Sequence, residues 1–225
     1  MTVKDLVRPL PGVRRLSMLR QRIAFCSSES FWERRYAQGL TSGHGSYGAL
    51  GEAKAAFLNA FVREHSVRSV IEFGCGDGHQ LSMADYPRYV GVDVSRTAIA
   101  LCKRKFDGDP SKSFFLYDGV CFVDRGRLFT ADLAISLDVI YHLIEEAVFE
   151  RYMEHLFSSG ERFVAVYSSN TVMRGTAPHV RHRHFTTWVD ANCPQWSLTQ
   201  VTGGTNTGPG RADFFVYERS ESGRK

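Results

Sequence analysis

Three groups of residues have the types and spacing for chemistry. The first is Val70-Ile71-Glu72-Phe73-Gly74-Cys75-Gly76-Asp77-Gly78, an apolar run that meets an acid and then three glycines at alternate positions. Glycines at such a turn permit positive φ and let a ligand approach the main chain closely. Roughly twenty residues on, Tyr89-Val90-Gly91-Val92-Asp93 is a second apolar run ending in an acid, the interval at which a βαβ unit offers a carboxylate to a ribose. The second group, Ser136-Leu137-Asp138-Val139-Ile140-Tyr141-His142-Leu143, brings together an acid, a phenol and an imidazole. His142 suits a general base, because an unperturbed imidazole titrates near neutrality. Asp138 would orient that imidazole or ligate a divalent ion. The third group is Arg174, His179, Arg181, His182, Arg183 and His184, a dense set of cationic or titratable side chains.

Charge selects the nucleotide. A pyrophosphate wants backbone N–H groups and a helix N-terminus, with no carboxylate close by. Glu72 and Asp77 flank the glycines, and two acids would repel a diphosphate. They suit a ligand that carries an ammonium and a sulfonium, as S-adenosylmethionine (SAM) does, with its ribose left for Asp93. At Glu72–Gly78 the chain resembles the class I SAM-dependent methyltransferases, whose first motif reads acid-x-G-x-G-x-G. The resemblance covers roughly residues 50–218. It implies that the donor lies at the carboxyl ends of the strands, near the switch in strand order. Glu72, Gly74 and Gly76 would then follow strand one, and Asp93 and Val94 strand two. Asp118 and Gly119 would follow strand three near the adenine, and Leu137 would close strand four. Asp93 and Asp118 have a plainer alternative, that of capping a turn or the next helix.

Methyl transfer from a sulfonium is an in-line displacement on an already activated carbon. The protein must align the nucleophile, exclude water and, for a hydroxyl, remove a proton. A general base or a metal that lowers the hydroxyl pKa would serve. His142 and Asp138 are the catalytic candidates, and the metal question stays open. His182 and His184 could join Asp138 around an ion, but H-x-H without a third ligand is a weak metal signature. His179, Arg181, His182 and His184 offer hydrogen-bond donors to a polyol or an anion, against the alternative of a solvated basic loop. Trp32, Tyr36, Tyr47 and Tyr141 offer aromatic faces and hydroxyls to the acceptor, or core material. The stretches Tyr36–Gly39, Arg162–Asn170 and His179–His182 are similar to bacterial sugar O-methyltransferases of polysaccharide biosynthesis, of the mycobacterial methylmannose polysaccharide type. That likeness implies a sugar hydroxyl as acceptor and magnesium as a second cofactor. Methylation of another small molecule or of RNA, and non-catalytic SAM binding, are the rival readings.

These groups need a scaffold, and hydrophobic periodicity supplies one. Strands are expected at 69–73, 89–93, 113–117, 133–137 and 162–167, separated by helices at 52–64, 95–106 and 145–157. A short helix at 185–192 and two final strands at 196–201 and 212–218 follow. The last connection is too short for a crossover helix, so those two strands should be antiparallel. The expected fold is α/β, a Rossmann-like seven-stranded mostly parallel sheet of order 3-2-1-4-5-7-6. Helices cover both faces, and an N-terminal helical extension precedes them. Residues 1–48 would form that extension and a lid, and residues 49–225 the methyltransferase domain.

At 225 residues the chain can bury one full core. No apolar run reaches membrane-spanning length, and the N-terminus lacks a signal peptide's apolar block. Five scattered cysteines without a C-x-x-C pair fit a reduced, cytoplasmic setting. A net charge of +4 makes no strong case for nucleic acid, and a small molecule or oligosaccharide is the expected substrate. Residues 1–27 are basic, with Val13, Leu16, Leu19 and Ile23 at helical spacing. They suit a helix packed on its own domain, or contact with an anionic partner, a membrane surface or a second copy in a homodimer.

Overall fold

The computed structural model describes residues 25–173, 175, 177–203 and 211–220. Residues 1–24 of the basic segment 1–27, Arg174 and residues 204–210 of the glycine-rich link lie outside them. Seven strands form one sheet: β1 (Val70–Phe73), β2 (Tyr89–Asp93), β3 (Lys112–Leu116), β4 (Ala131–Leu137), β5 (Gly160–Ser169), β6 (Trp196–Gly203) and β7 (Ala212–Arg219). Their order is β3-β2-β1-β4-β5-β7-β6. The pairs β1–β2, β1–β4, β2–β3 and β4–β5 are parallel, while β7 runs antiparallel to both β5 and β6. This is the expected topology, with the final hairpin supplying the reversed strand.

Helices cover both faces because the central strands are apolar on both. All seven residues of β4 are buried, as a strand enclosed between two helical layers requires. On one face, Leu133, Ile135 and Leu137 meet Leu58, Phe61 and Val62 of α2 (Gly48–Glu64) and Ile99 and Cys102 of α3 (Arg96–Lys105). On the other, Ala134, Val164 and Val166 meet Phe149, Met153 and Leu156 of α4 (Glu146–Ser159) and Phe185 and Val189 of α5 (Phe185–Asn192). The N-terminal helix α1 (Ser28–Ala37) starts at a capping box in which Ser27 and Ser30 bond each other's backbone. Among the described residues no helix is long and apolar enough to cross a membrane.

Several boundaries differ from expectation. Helix α2 starts at Gly48 rather than 52, so its first turn contains two glycines, which propensity alone disfavours. Packing overrides that preference: a Cβ on Gly51 would lie 2.6 Å from the Ser46 carbonyl oxygen. Strand β5 extends to Gly160 and Ser169, weak strand formers held by pairing with β4 and β7. Strand β3 begins one residue early, leaving Tyr117 just beyond it.

Candidate active site

A cavity opens at the carboxyl ends of β1, β2 and β4. Strand β1 and its turn contribute Glu72, Gly74 and Gly76, and β2 contributes Asp93 and Val94. Asp118 and Gly119 follow β3, and Leu137 and Asp138 end β4. The glycine turn is left-handed at three positions, with φ of 83° at Gly74, 58° at Gly76 and 69° at Gly78. Gly76 is needed for closeness as well as for φ, because a Cβ there would stand 2.4 Å from Ser42 Oγ.

Asp93 ties this turn to the next helix. Its Oδ2 accepts from Gly76 N–H at 2.9 Å and its Oδ1 from Ser95 N–H at 2.8 Å. Ser95 in turn caps α3 by accepting from Ala98 N–H at 3.0 Å. Burial pushes the Asp93 carboxyl up to about 6, against the pull of those two amides. Glu72 lies deeper and accepts from Tyr89 O–H at 2.5 Å. Burial raises it to about 7. Asp118 forms a turn at the rim, accepting from Val120 N–H at 2.8 Å, and such bonds hold its carboxyl below the usual range.

Asp77 is not a free anion beside the glycines. Its carboxylate accepts from Ser42 N–H at 2.8 Å, Tyr47 O–H at 2.9 Å and His79 N–H at 3.0 Å. Tyr47 also stacks on His79 at 3.8 Å, so it secures the glycine turn and lies outside the cavity lining. Acceptors for a cationic ligand come instead from Glu72 and from Gln80. Gln80 donates through Nε2 to the Gly51 carbonyl at 2.7 Å, which leaves its buried Oε1 in the lining without a partner. An acid for a ribose, an orphaned amide oxygen and a close-approach glycine turn together fit SAM.

Helix α1 and the segment after it wall off the other side. Tyr36 is buried against the glycine turn, with its hydroxyl 3.1 Å from Ser42 Oγ, and Trp32 lines the cavity edge-on to His142 at 4.9 Å. Glu33 accepts from Ser95 O–H and Thr97 O–H, each at 2.6 Å. Ser28 Oγ lies 2.6 Å from Glu145 Oε2 and 2.8 Å from the His142 carbonyl oxygen, which share its one proton.

The β4 end differs from expectation. Asp138 does not orient His142. It accepts from Lys54 Nζ at 2.5 Å through Oδ2 and from Tyr141 O–H at 2.7 Å through Oδ1. His142 instead donates from Nδ1 to the His179 carbonyl at 2.8 Å, which leaves Nε2 as its acceptor nitrogen. Enclosure by α1 and the 179 loop lowers its pKa to about 4, so the cavity holds a neutral, weakly basic imidazole and not one that titrates near neutrality.

In the histidine–arginine loop both described arginines bond the protein itself. Arg181 donates to the Ile144 carbonyl at 3.0 Å and pairs with Glu146 at 2.7 Å. Arg183, which is buried, bonds the Leu143 and Ile144 carbonyls and lies 4.6 Å over the Phe149 ring. His182 Nδ1 is 2.6 Å from Ser169 Oγ, and His184 is exposed at the start of α5. His179 stacks on Phe31 at 4.3 Å. Among the described residues no group of three His, Cys, Asp or Glu side chains is arranged to hold a metal. Both Asp138 carboxylate oxygens already accept from protein donors, a set that does not fit magnesium.

Lys54 and Glu33 were not anticipated. Lys54 had a signal, since it lies four residues before Leu58 and so in phase with the buried stripe of α2. Glu33 had none, because its partners are more than sixty residues away.

No family model matches the chain. It is 26% identical to the small RNA 2'-O-methyltransferase of Arabidopsis thaliana over 77% of its own length. It spans only 23% of that relative. Among solved structures, the methyltransferase domain of a bacterial Hen1 superposes with a TM-score of 0.62 at 21% identity, covering 75% of this chain and 98% of that one. The N-methyltransferase NodS from Bradyrhizobium japonicum, in complex with S-adenosylhomocysteine (SAH), gives 0.67 at 14% identity, covering 87% and 99%. Magnesium protoporphyrin IX methyltransferase from Synechocystis, with bound SAH, gives 0.61 at 17%, covering 88% and 98%. The chain therefore has the class I SAM-dependent methyltransferase fold. Within that class its sequence relative is an enzyme of RNA, and its structural relatives differ in what they methylate.

Proposed function

We propose that the chain is a SAM-dependent methyltransferase that methylates a sugar hydroxyl, with its N-terminal segment acting as a lid over the donor. The supporting observation is Asp93, buried in the cavity with one oxygen on each of two loops. Each oxygen keeps a lone pair for a ribose hydroxyl. SAM, when bound, supplies an activated methyl group. The chain's own residues then orient the acceptor and take its proton. His142 Nε2 accepts a hydrogen bond from the hydroxyl, and Asp138 flanks it with a carboxylate. A base lowered to about 4 is sufficient late in the displacement, because an oxygen that gains a methyl group becomes positive and its proton strongly acidic. Trp32 and Val139 exclude water from the same cavity.

The similarity to a small RNA 2'-O-methyltransferase favours a second reading, in which the hydroxyl is a ribose 2'-OH of RNA. The two readings share their chemistry and differ in the acceptor's size and charge. Calorimetric titration with SAH tests the donor site. Labelled methyl transfer to methyl mannoside, a mannose oligosaccharide, a small phenol and a short RNA tests the rest. Transfer to mannosides supports the first reading, and transfer to RNA that falls steeply with salt supports the second. Absence of SAH binding rejects both. His142→Ala should slow transfer while leaving SAH affinity within about threefold, and full activity in that variant removes its role.

A further inference from the structure

Lys54 is buried, with 2% of its side chain exposed, on the face of α2 that packs against the sheet. Its ammonium is 2.5 Å from Asp138 Oδ2 and 5.1 Å from the centre of the Tyr167 ring. Asp138 keeps 15% of its side chain exposed and lines the cavity. The carboxylate is held on three sides. Lys54 takes Oδ2, Tyr141 takes Oδ1, and the turn at His44–Ser46 lies so close that a Cβ on Gly45 would stand 2.6 Å from Oδ2. Asp138 itself has a left-handed backbone, with φ of 60°, a conformation that costs energy in a non-glycine residue and gathers at functional sites.

Burying a lysine is unfavourable unless a partner compensates, and a buried pair seldom outdoes apolar packing on stability alone. A pair retained at the wall of a reaction cavity therefore points to a task there. The competing task for Asp138 is ligation of a divalent ion, and among the described residues no group of three His, Cys, Asp or Glu side chains is arranged for it. Magnesium demands a near-octahedral oxygen set, whereas here both carboxylate oxygens already carry protein donors.

We propose that Lys54 is a positioning residue: its ammonium takes the electrostatic place of a divalent cation at Asp138, fixes the carboxylate toward the acceptor hydroxyl, and makes methyl transfer independent of added metal. The proposal rests on Asp138 facing the acceptor in the methyltransferase reading above.

The test uses the full chain and has two arms. The first needs no acceptor. Mn2+ is titrated into wild type, with and without SAH, and free ion is followed by electron paramagnetic resonance. No site tighter than about 0.1 mM is expected, and a tighter site that disappears in Asp138→Asn overturns the proposal. The second arm follows labelled methyl transfer to whichever panel acceptor takes label. Activity should survive EDTA within about twofold. Lys54→Gln should lower kcat about a hundredfold, while KM and SAH affinity change less than about threefold. Lys54→Arg, which keeps the charge, should restore kcat to within about tenfold of wild type and decides the matter if the Gln variant does not fold. Wild-type kcat in Lys54→Gln, a loss confined to SAH affinity, an Arg variant no better than Gln or one that has lost activity altogether, or loss of transfer on chelation each overturns it. Failure of wild type to bind SAH would instead reject the methyltransferase reading, and the Mn2+ arm would still report on Asp138.

Discussion

The two halves of the cavity are built by opposite means. The donor half, at the ends of β1 and β2, is shaped by backbone: a glycine turn, a strand end and a helix start joined through the Asp93 carboxylate. The acceptor half, at the ends of β4 and β5, is shaped by side chains from distant segments, with Lys54 meeting Asp138 and Arg183 meeting Leu143 and Ile144. In the first half charge is presented to the cavity. In the second, most of it is neutralised within the protein, and the arginines that look like substrate donors are fastened to carbonyls. A cluster of cations in a loop is therefore weak evidence for an anionic ligand when carbonyls just before a helix lie within reach.

The contrast can be broken at three points. Arg183→Met removes a buried guanidinium from two carbonyls and Glu146, and should destabilise the fold by about 3 kcal/mol. Thermal unfolding should register this, with SAH affinity unchanged well below the midpoint. A variant of normal stability would return that loop to the solvated class. Asp93→Ala should weaken SAH binding about a hundredfold by calorimetry, through loss of bonds to a charged acceptor. Undiminished affinity would dismiss the donor half as drawn.

Acidification sharpens the same point. The folded Asp93 carboxyl is raised to about 6, chiefly by burial. Donor hydroxyls favour its ionised form, so affinity is full above that value and is lost as pH falls through it. SAH should bind about tenfold more weakly at pH 5 than at pH 7, with proton release on binding near pH 6. A flat profile would mean that Asp93 does not touch the ligand. Arg181→Ala should matter least. Its pair with Glu146 is about half exposed, so stability should fall by less than about 1 kcal/mol and transfer should stay within twofold. A large loss of transfer would restore Arg181 to the acceptor.

The same division explains what the sequence could convey. Strand order, the glycine turn, Asp93 and the Ser95 cap are local patterns, and each is readable within about thirty residues as a βαβ unit. Asp138 was legible as a site residue but not its partner, because Lys54 precedes it by more than eighty residues. His142 was legible as an imidazole at the site but not as a weakly basic one, because its enclosure depends on Trp32 from α1 and His179 from the loop after β5. Extension of β5 to Ser169 was hidden for a similar reason, since neighbouring strands and not propensity hold its ends.

Helix α1 is moored at both sides of the cleft, through Glu33 to the start of α3 and through Ser28 to the residues just before α4, and the segment after it is fastened to Asp77. Anything as large as a nucleoside that enters or leaves past that helix must part at least one of these attachments. Residence time, and not only fit, is thus written into three small polar contacts, two of them in the cavity wall. Weakening any one of them should make ligand exchange faster and should register first in the off-rate.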